Sequence, residues 1–299
     1  MRPIIVAHAG VGSPNAYSDG TRKAVREALK TMNKTGSALK AAIAGVVVLE
    51  DDPRFNAGTG SNLRMDGRDI EMDSAVMDSK GACGAVACIR MVKNPVLVAE
   101  LVSRTPHLLI CGDGAVEFAR LHKVPVYNPA TPKAIERFKA AKARLAHKKI
   151  SYHSKHGFRA VRGADRGCDT VGVAVSDGRG NFAGATSTGG ISYMIRGRVG
   201  DSPLVGCGIY VGKNGAVVAT GIGEEIIRQL LSKQVYDRMD EGMSPQEACE
   251  WGLRLFRNPS KTIKKCYKRV PVGIVAVNRT GYGIVATHQM ATGALKIST

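Results

Sequence analysis

Apolar and polar positions change period several times along the chain, and each change marks an element. Residues 4–7 are a short apolar run ending at the small-residue turn Ala9-Gly10-Val11-Gly12, the pattern of a buried strand. Ser18 then caps a helix whose apolar positions Ala24, Ala28, Leu29 and Met32 recur at helical spacing. A second helix from about Ser37 carries Leu39, Ala42, Ile43 and Val47, and a turn-rich stretch over 51–60 holds Pro53, Asn56, Gly58 and Gly60. Between 62 and 89, short extended runs break at Asp66-Gly67 and Lys80-Gly81, which predicts antiparallel strands with tight turns. Helices are expected over 95–103 and 115–122, flanking a strand at 107–111.

After Asp169 the texture shifts. Val171, Val173 and Val175 alternate with small residues, Asp177-Gly178 turns the chain, and 182–187 returns as the partner strand. Runs at 207–211 and 216–220 meet at Asn214-Gly215, a hairpin signal. Helices follow over 223–239 and from Ser244 to 256, with Pro245 at the first helical position. Strands at 270–277, 283–287 and 294–297 close the chain. Hairpin-built sheets with helices segregated from them predict an α+β fold, two sheets face to face with helices outside.

Composition narrows the class. With 299 residues, 44% of them hydrophobic, the chain reads as one globular unit, 1–299. Its first apolar stretch is shorter than the ~7–15 residues of a signal-peptide core. No window reaches the roughly 18 uncharged apolar residues of a membrane helix. A soluble protein without membrane partners is expected. Seven scattered cysteines, with no CxxC pair, fit reduced thiols in a cytoplasm. The net charge of +18 first points to nucleic acid. However, residues 131–169 hold eleven Lys/Arg against three acidic residues and few aromatics, so the excess is concentrated in one segment. That segment reads as a basic flexible linker rather than a nucleic-acid surface.

No GxxxxGK[ST] or GxGxxG motif stands between a strand and a helix, despite 35 glycines, and no organic cofactor is expected. The densest polar and small-residue strings lie over 169–224: Asp169-Thr170-Val171-Gly172, Ala185-Thr186-Ser187-Thr188-Gly189-Gly190, Gly197-Arg198-Val199-Gly200-Asp201-Ser202-Pro203 and Ala219-Thr220-Gly221-Ile222-Gly223-Glu224. In this order and spacing, with Phe55-Asn56-Ala57-Gly58 and Asn94-Pro95-Val96 upstream, they resemble the plant-type asparaginase and isoaspartyl peptidase family of amino-terminal nucleophile hydrolases. The likeness covers nearly the whole chain.

The resemblance implies a four-layer αββα sandwich and self-cleavage between Asp169 and Thr170, giving subunits 1–169 and 170–299. Hydrolysis of the side-chain amide of L-asparagine or of β-aspartyl peptides would follow. The chemistry is coherent. A threonine hydroxyl needs a base, and a freed terminal amine with a pKa of about 7.7–8.0 suits neutral pH, whereas a peptide nitrogen does not. By resemblance Thr188 orients Thr170, Thr220 with the Gly221 N–H forms the oxyanion hole, and Asn56 contacts the nucleophile's surroundings. Arg198 and Asp201 would grip the substrate's α-carboxylate and α-ammonium, near the Gly223 carbonyl.

The same resemblance implies a sodium-binding loop using the backbone carbonyls of Leu49, Glu50, Asp52, Phe55, Ala57 and Thr59, and a dimer of cleaved αβ units, a heterotetramer. The chain departs from the family at three places. Ala9 follows His8 where glycine is usual, Asp169 stands where bacterial and plant members commonly have glycine, and Ile222 replaces a common threonine. Asp169 is shared with glycosylasparaginases and the threonine aspartase. Two alternatives carry different chemistry: a threonine endopeptidase cleaving after aspartate, and a basic nucleic-acid-binding protein with a degenerate hydrolase body.

Overall fold

The computed structural model describes residues 2–146, 170–264 and 267–297. Strict alternation in the valine-rich segments forms the centre of a seven-stranded sheet ordered β11-β1-β5-β6-β2-β3-β4. Its strands are β1 (Ile4–Val11), β2 (Met72–Asp78), β3 (Cys83–Ile89), β4 (Leu109–Cys111), β5 (Val171–Ser176), β6 (Phe182–Thr188) and β11 (Met290–Lys296). Neighbours are antiparallel except β3 and β4. A four-stranded sheet contains β7 (Ile209–Gly212), β8 (Gly215–Gly221), β9 (Val272–Val277) and β10 (Tyr282–Ala286), in the order β10-β9-β8-β7.

Helices α1 (Ser18–Thr35), α2 (Ala38–Glu50), α3 (Pro95–Val102) and α4 (Gly112–Leu121) cover one face of the large sheet, where Val46, Leu49 and Val98 pack with Ile5, Val173 and Ala185. Its other face meets the small sheet through Ile4, Val6, Ala174, Phe182, Val218 and Val275. Helices α6 (Gly223–Gln229), α7 (Leu231–Asp240) and α8 (Pro245–Arg254) cover the outer face of the small sheet, with Ile226, Val235 and Ala248 against Val217 and Ile274. The layers therefore run αββα, as the sequence predicts. Among the described residues no helix is long and apolar enough to cross a membrane.

Several local expectations hold and others are corrected. Ser37 caps α2 by accepting from Lys40 N–H, and Ser244 forms a reciprocal capping box with Glu247. Ser18 does not cap α1, because a 3-10 turn at Asn15–Tyr17 puts Tyr17 in that position. Residues 62–71 form a turn rather than a strand, with Arg64 N–H bonded to the Asp69 carbonyl at 2.8 Å. The predicted helix over 223–239 breaks at Leu230, whose φ of +46° leaves the helical region. The β7–β8 hairpin turns at Lys213-Asn214, one residue earlier than expected, since Gly212 pairs with Gly215.

The linker is also corrected at its start. Helix α5 (Pro132–Ala146) occupies the first part of 131–169, burying Ala134 and Ala141. The Phe138 ring lies 5.4 Å from that of Tyr193, and Arg137 Nη2 donates to the Gly60 carbonyl at 2.5 Å. Apolar positions at 134, 138 and 141 recur at helical spacing, a signal masked in the sequence by the density of positive charge. The remainder, 147–169, including the Asp169 side of the expected cleavage bond, lies outside the described residues.

Candidate active site

In a strand, alternate side chains share a face, so the residues beside the inter-sheet core can be read along each strand. Ala174 and Phe182 point into that core, which places Thr170 and Thr188 on the same side two and three such steps away. Val6, Ala75 and Val218 likewise align His8, Asp73 and Thr220. All five polar residues gather at one end of the space between the sheets, where the alternation would otherwise call for apolar ones.

Register explains the central contact. Val171 pairs with Ser187, so Thr170 sits opposite Thr188, and Thr188 in turn pairs with Asp73 on β2. Thr170 Oγ1 donates to Thr188 Oγ1 at 3.2 Å, and Thr188 Oγ1 also accepts the Gly190 N–H at 3.1 Å. Thr170 is 6% exposed. His8, opposite Gly172, accepts the Gly10 N–H on Nδ1, so a neutral ring carries its proton on Nε2. That nitrogen is turned toward the Thr170 backbone but stops short of a well-formed hydrogen bond. Burial pushes the His8 pKa down to about 3, so the ring is neutral at physiological pH. Ala9, the departure beside it, is fully buried.

From the small sheet, Thr220 Oγ1 accepts the Val11 N–H at 3.3 Å, tying the end of β8 to β1. The next residue, Gly221, has φ +150°, and a Cβ there would fall 2.4 Å from the Pro271 carbonyl oxygen, so only glycine fits. Ile222 fills the outer core and donates its N–H to that same carbonyl. Asn56 reaches the site indirectly. Its Nδ2 donates to the Gly190 carbonyl at 2.5 Å and its carbonyl accepts the Gly189 N–H at 2.8 Å, which braces the turn after Thr188.

Arg198, Asp201 and Gly223 come together beside this row. A Cβ on Gly223 would lie 2.9 Å from both Arg198 Nη2 and Asp201 Oδ1, so the missing side chain is what lets the two charges approach. Asp201 is 3% exposed and its Oδ2 has no hydrogen-bond partner among the described residues. Burial raises its pKa to about 7, with Arg198 opposing the shift and Glu224 and Asp73 adding to it. Arg198 forms a forked pair with Glu224, Nε to Oε1 at 3.1 Å and Nη2 to Oε2 at 3.0 Å.

Four charged residues to which sequence reasoning gave no role support this pocket. Glu71 Oε2 accepts the Gly197 N–H at 2.7 Å and pairs with Arg64, which is completely buried and also donates to the Glu71 carbonyl. A bulge between β2 and β3 turns the Cys88 N–H onto Asp73 Oδ1 at 2.8 Å, while the Gly200 N–H approaches Oδ2 at 3.5 Å. The loop carrying Arg198 and Asp201 is therefore anchored to β2. Glu224 is the fourth. The only available signal was alternation: Asp73 falls on the inward parity of β2, where a charge is out of place.

Among the described residues no group of three or more His, Cys, Asp or Glu could hold a metal ion. The loop over 49–60 is closed on itself by backbone hydrogen bonds, the Thr59 N–H to the Glu50 carbonyl at 2.8 Å and the Phe55 N–H to that of Asp52 at 3.1 Å. A Cβ on Gly60 would lie 2.7 Å from the Pro53 carbonyl oxygen and 3.1 Å from that of Phe55, and one on Gly58 would lie 2.6 Å from that of Glu50. The Glu50 carboxyl is buried, accepts the Val96 N–H at 3.0 Å, and has its pKa pushed up to about 8 by desolvation.

Comparison with known proteins places the whole chain in a family. A family model described as asparaginase matches residues 2–296. A plant-type L-asparaginase of Pyrococcus horikoshii is 39% identical over 285 residues, covering 93% of this chain and 90% of the relative. An isoaspartyl peptidase/L-asparaginase of Xenopus laevis is 37% identical over 307 residues, covering 99% and 93%. An N(4)-(β-N-acetylglucosaminyl)-L-asparaginase of Elizabethkingia miricola is 36% identical, covering 86% and 73%. A match that spans both sheets and every string from Asp169 to Glu224 leaves one assignment: the chain belongs to the asparaginase family.

Proposed function

We propose that the protein is an amidohydrolase that cleaves itself before Thr170 and then hydrolyses the side-chain amide of L-asparagine and β-aspartyl peptides. The observation that carries the substrate reading is the Arg198 and Asp201 pair at Gly223. An asparagine or β-aspartyl unit bears a free α-carboxylate and α-ammonium, and this pocket offers a guanidinium and a buried carboxylate oxygen lacking a partner among the described residues. An extended protein substrate has neither free group, which disfavours the endopeptidase reading.

In self-cleavage, Thr170 Oγ1 attacks the Asp169 carbonyl carbon, the C–N bond between Asp169 and Thr170 breaks as the nitrogen takes the hydroxyl proton and becomes the free Thr170 amine, and water hydrolyses the resulting ester to release the Asp169 carboxylate and restore the Thr170 hydroxyl. In turnover, that amine accepts the proton of Oγ1 as it attacks the substrate amide. Thr188 holds the hydroxyl in line. The Thr220 hydroxyl and the Gly221 N–H stabilise the developing oxyanion, an arrangement in which one donor is worth ~100-fold or more. Ammonia or an amine leaves, and water hydrolyses the aspartyl ester on Thr170.

Ammonia release from asparagine, followed across pH, tests this reading. Protonated Asp201 cannot hold an ammonium, and its free-state pKa is raised to about 7. The charged form needed for binding is depleted as pH falls, so KM is expected to rise below about pH 7. A wild-type protein that releases no ammonia from either substrate class contradicts the assignment.

Two further readings accompany it. By the family likeness, sodium would be held by the backbone carbonyls of Leu49, Glu50, Asp52, Phe55, Ala57 and Thr59 and would stiffen the segment carrying Asn56. Replacing sodium with a large organic cation is expected to lower the melting temperature, and an unchanged transition counts against the site. Cleaved αβ units are expected to pair in a cytoplasm, and light scattering giving only one chain's mass would contradict the dimer.

A further inference from the structure

We infer that Glu224 is a positioning residue for substrate recognition, acting through Arg198. The inference rests on the substrate reading above. A guanidinium has two usable edges, and which edge faces the substrate depends on what holds the other. In this structure Glu224 takes the Nε and Nη2 edge with both carboxylate oxygens, at 3.1 and 3.0 Å. Nη1 makes no hydrogen bond among the described residues and is turned toward Gly200, where a Cβ would lie 2.7 Å from it. Nη2 lies beside Gly223 and Asp201 Oδ1. The Nη1 and Nη2 end thus faces the side of the pocket where Asp201 waits for an ammonium.

The surroundings favour this division of labour. Arg198 is only 12% exposed, so its orientation is set by protein partners more than by water. Glu224 is the second residue of α6, next to the Gly223 close approach, and its neighbour Glu225 is fixed by accepting the Ser260 N–H at 3.1 Å. A rigid helix start therefore presents the carboxylate to Arg198. Asp73 supplies a second negative charge from β2. Without Glu224 the guanidinium keeps its charge but loses its rotation, and a bidentate grip on a planar carboxylate depends on that rotation.

Product binding tests the inference independently of hydrolysis. Calorimetric titration of L-aspartate into the purified wild-type and Glu224→Gln proteins is expected to show about tenfold weaker binding in the variant, the size expected for a charge-assisted hydrogen bond. KM for asparagine should rise in parallel with kcat little changed. Binding of an aspartate derivative with its α-carboxylate amidated should be equally weak in both. In an Arg198→Lys background, which has no fork to orient, Glu224→Gln should add nothing further.

Equal aspartate affinity in wild type and Glu224→Gln, equal losses on the amidated derivative, or full additivity with Arg198→Lys would each overturn the proposal. So would a wild-type protein that binds no aspartate. A protein that binds aspartate with this pattern yet hydrolyses no amide would leave Glu224 in place and remove the proposed activity instead.

Discussion

Thr170→Ala is expected to remain a single chain of 299 residues and to release no ammonia from asparagine. The loss should reach the detection limit, because in the proposed mechanism one oxygen serves both as the attacking atom in self-cleavage and as the nucleophile in turnover. The reason is local. Thr170 Oγ1 is the group bonded to Thr188 at 3.2 Å, immediately before the strand that pairs with the one ending at Thr188. Thr188→Ala should be milder, slowing both reactions while keeping the attacking oxygen. Residual activity of the Thr170→Ala chain near that of wild type would mean that another group performs the attack.

The second large effect falls on the clamp. Arg198→Lys keeps the charge but removes the planar fork, and Asp201→Asn keeps the shape but removes the charge that an ammonium needs. Each is expected to reduce kcat/KM on asparagine by about 2–4 kcal/mol, roughly 30- to 900-fold, the range for truncating a buried hydrogen-bonded charge pair. Self-cleavage should persist in both, since the Asp169 carbonyl is delivered by the chain itself. Fragment patterns on a denaturing gel and initial rates on asparagine check the two halves of this statement. Near-wild-type rates would move the substrate pocket elsewhere.

Much of this arrangement is legible in the sequence because it depends on short-range regularities. The period-two runs at 171–176 and 182–188 and the small-residue strings around Thr170, Thr188 and Thr220 mark both the strands and the place where their apolar pattern stops. Arg64, Glu71 and Asp73, and the role of Glu224 within its string, were not legible for the opposite reason. A lone charge looks like a solvated surface residue until its partner is known, and Glu71 bonds Gly197 across 126 residues while Asp73 meets Gly200 across 127. Helix α5 was hidden by its charge, and the kink at Leu230 by a continuous helical period, since neither an outward lysine-rich face nor a single positive φ alters the apolar spacing.

The central claim is that a peptide bond of this chain must break to create the catalytic amine. Amino-terminal sequencing and intact-mass measurement of the purified, active wild-type protein test it most directly. The account predicts two polypeptides, one of which begins at Thr170, with activity tracking the cleaved fraction. An uncut chain that hydrolyses asparagine at full rate would contradict it.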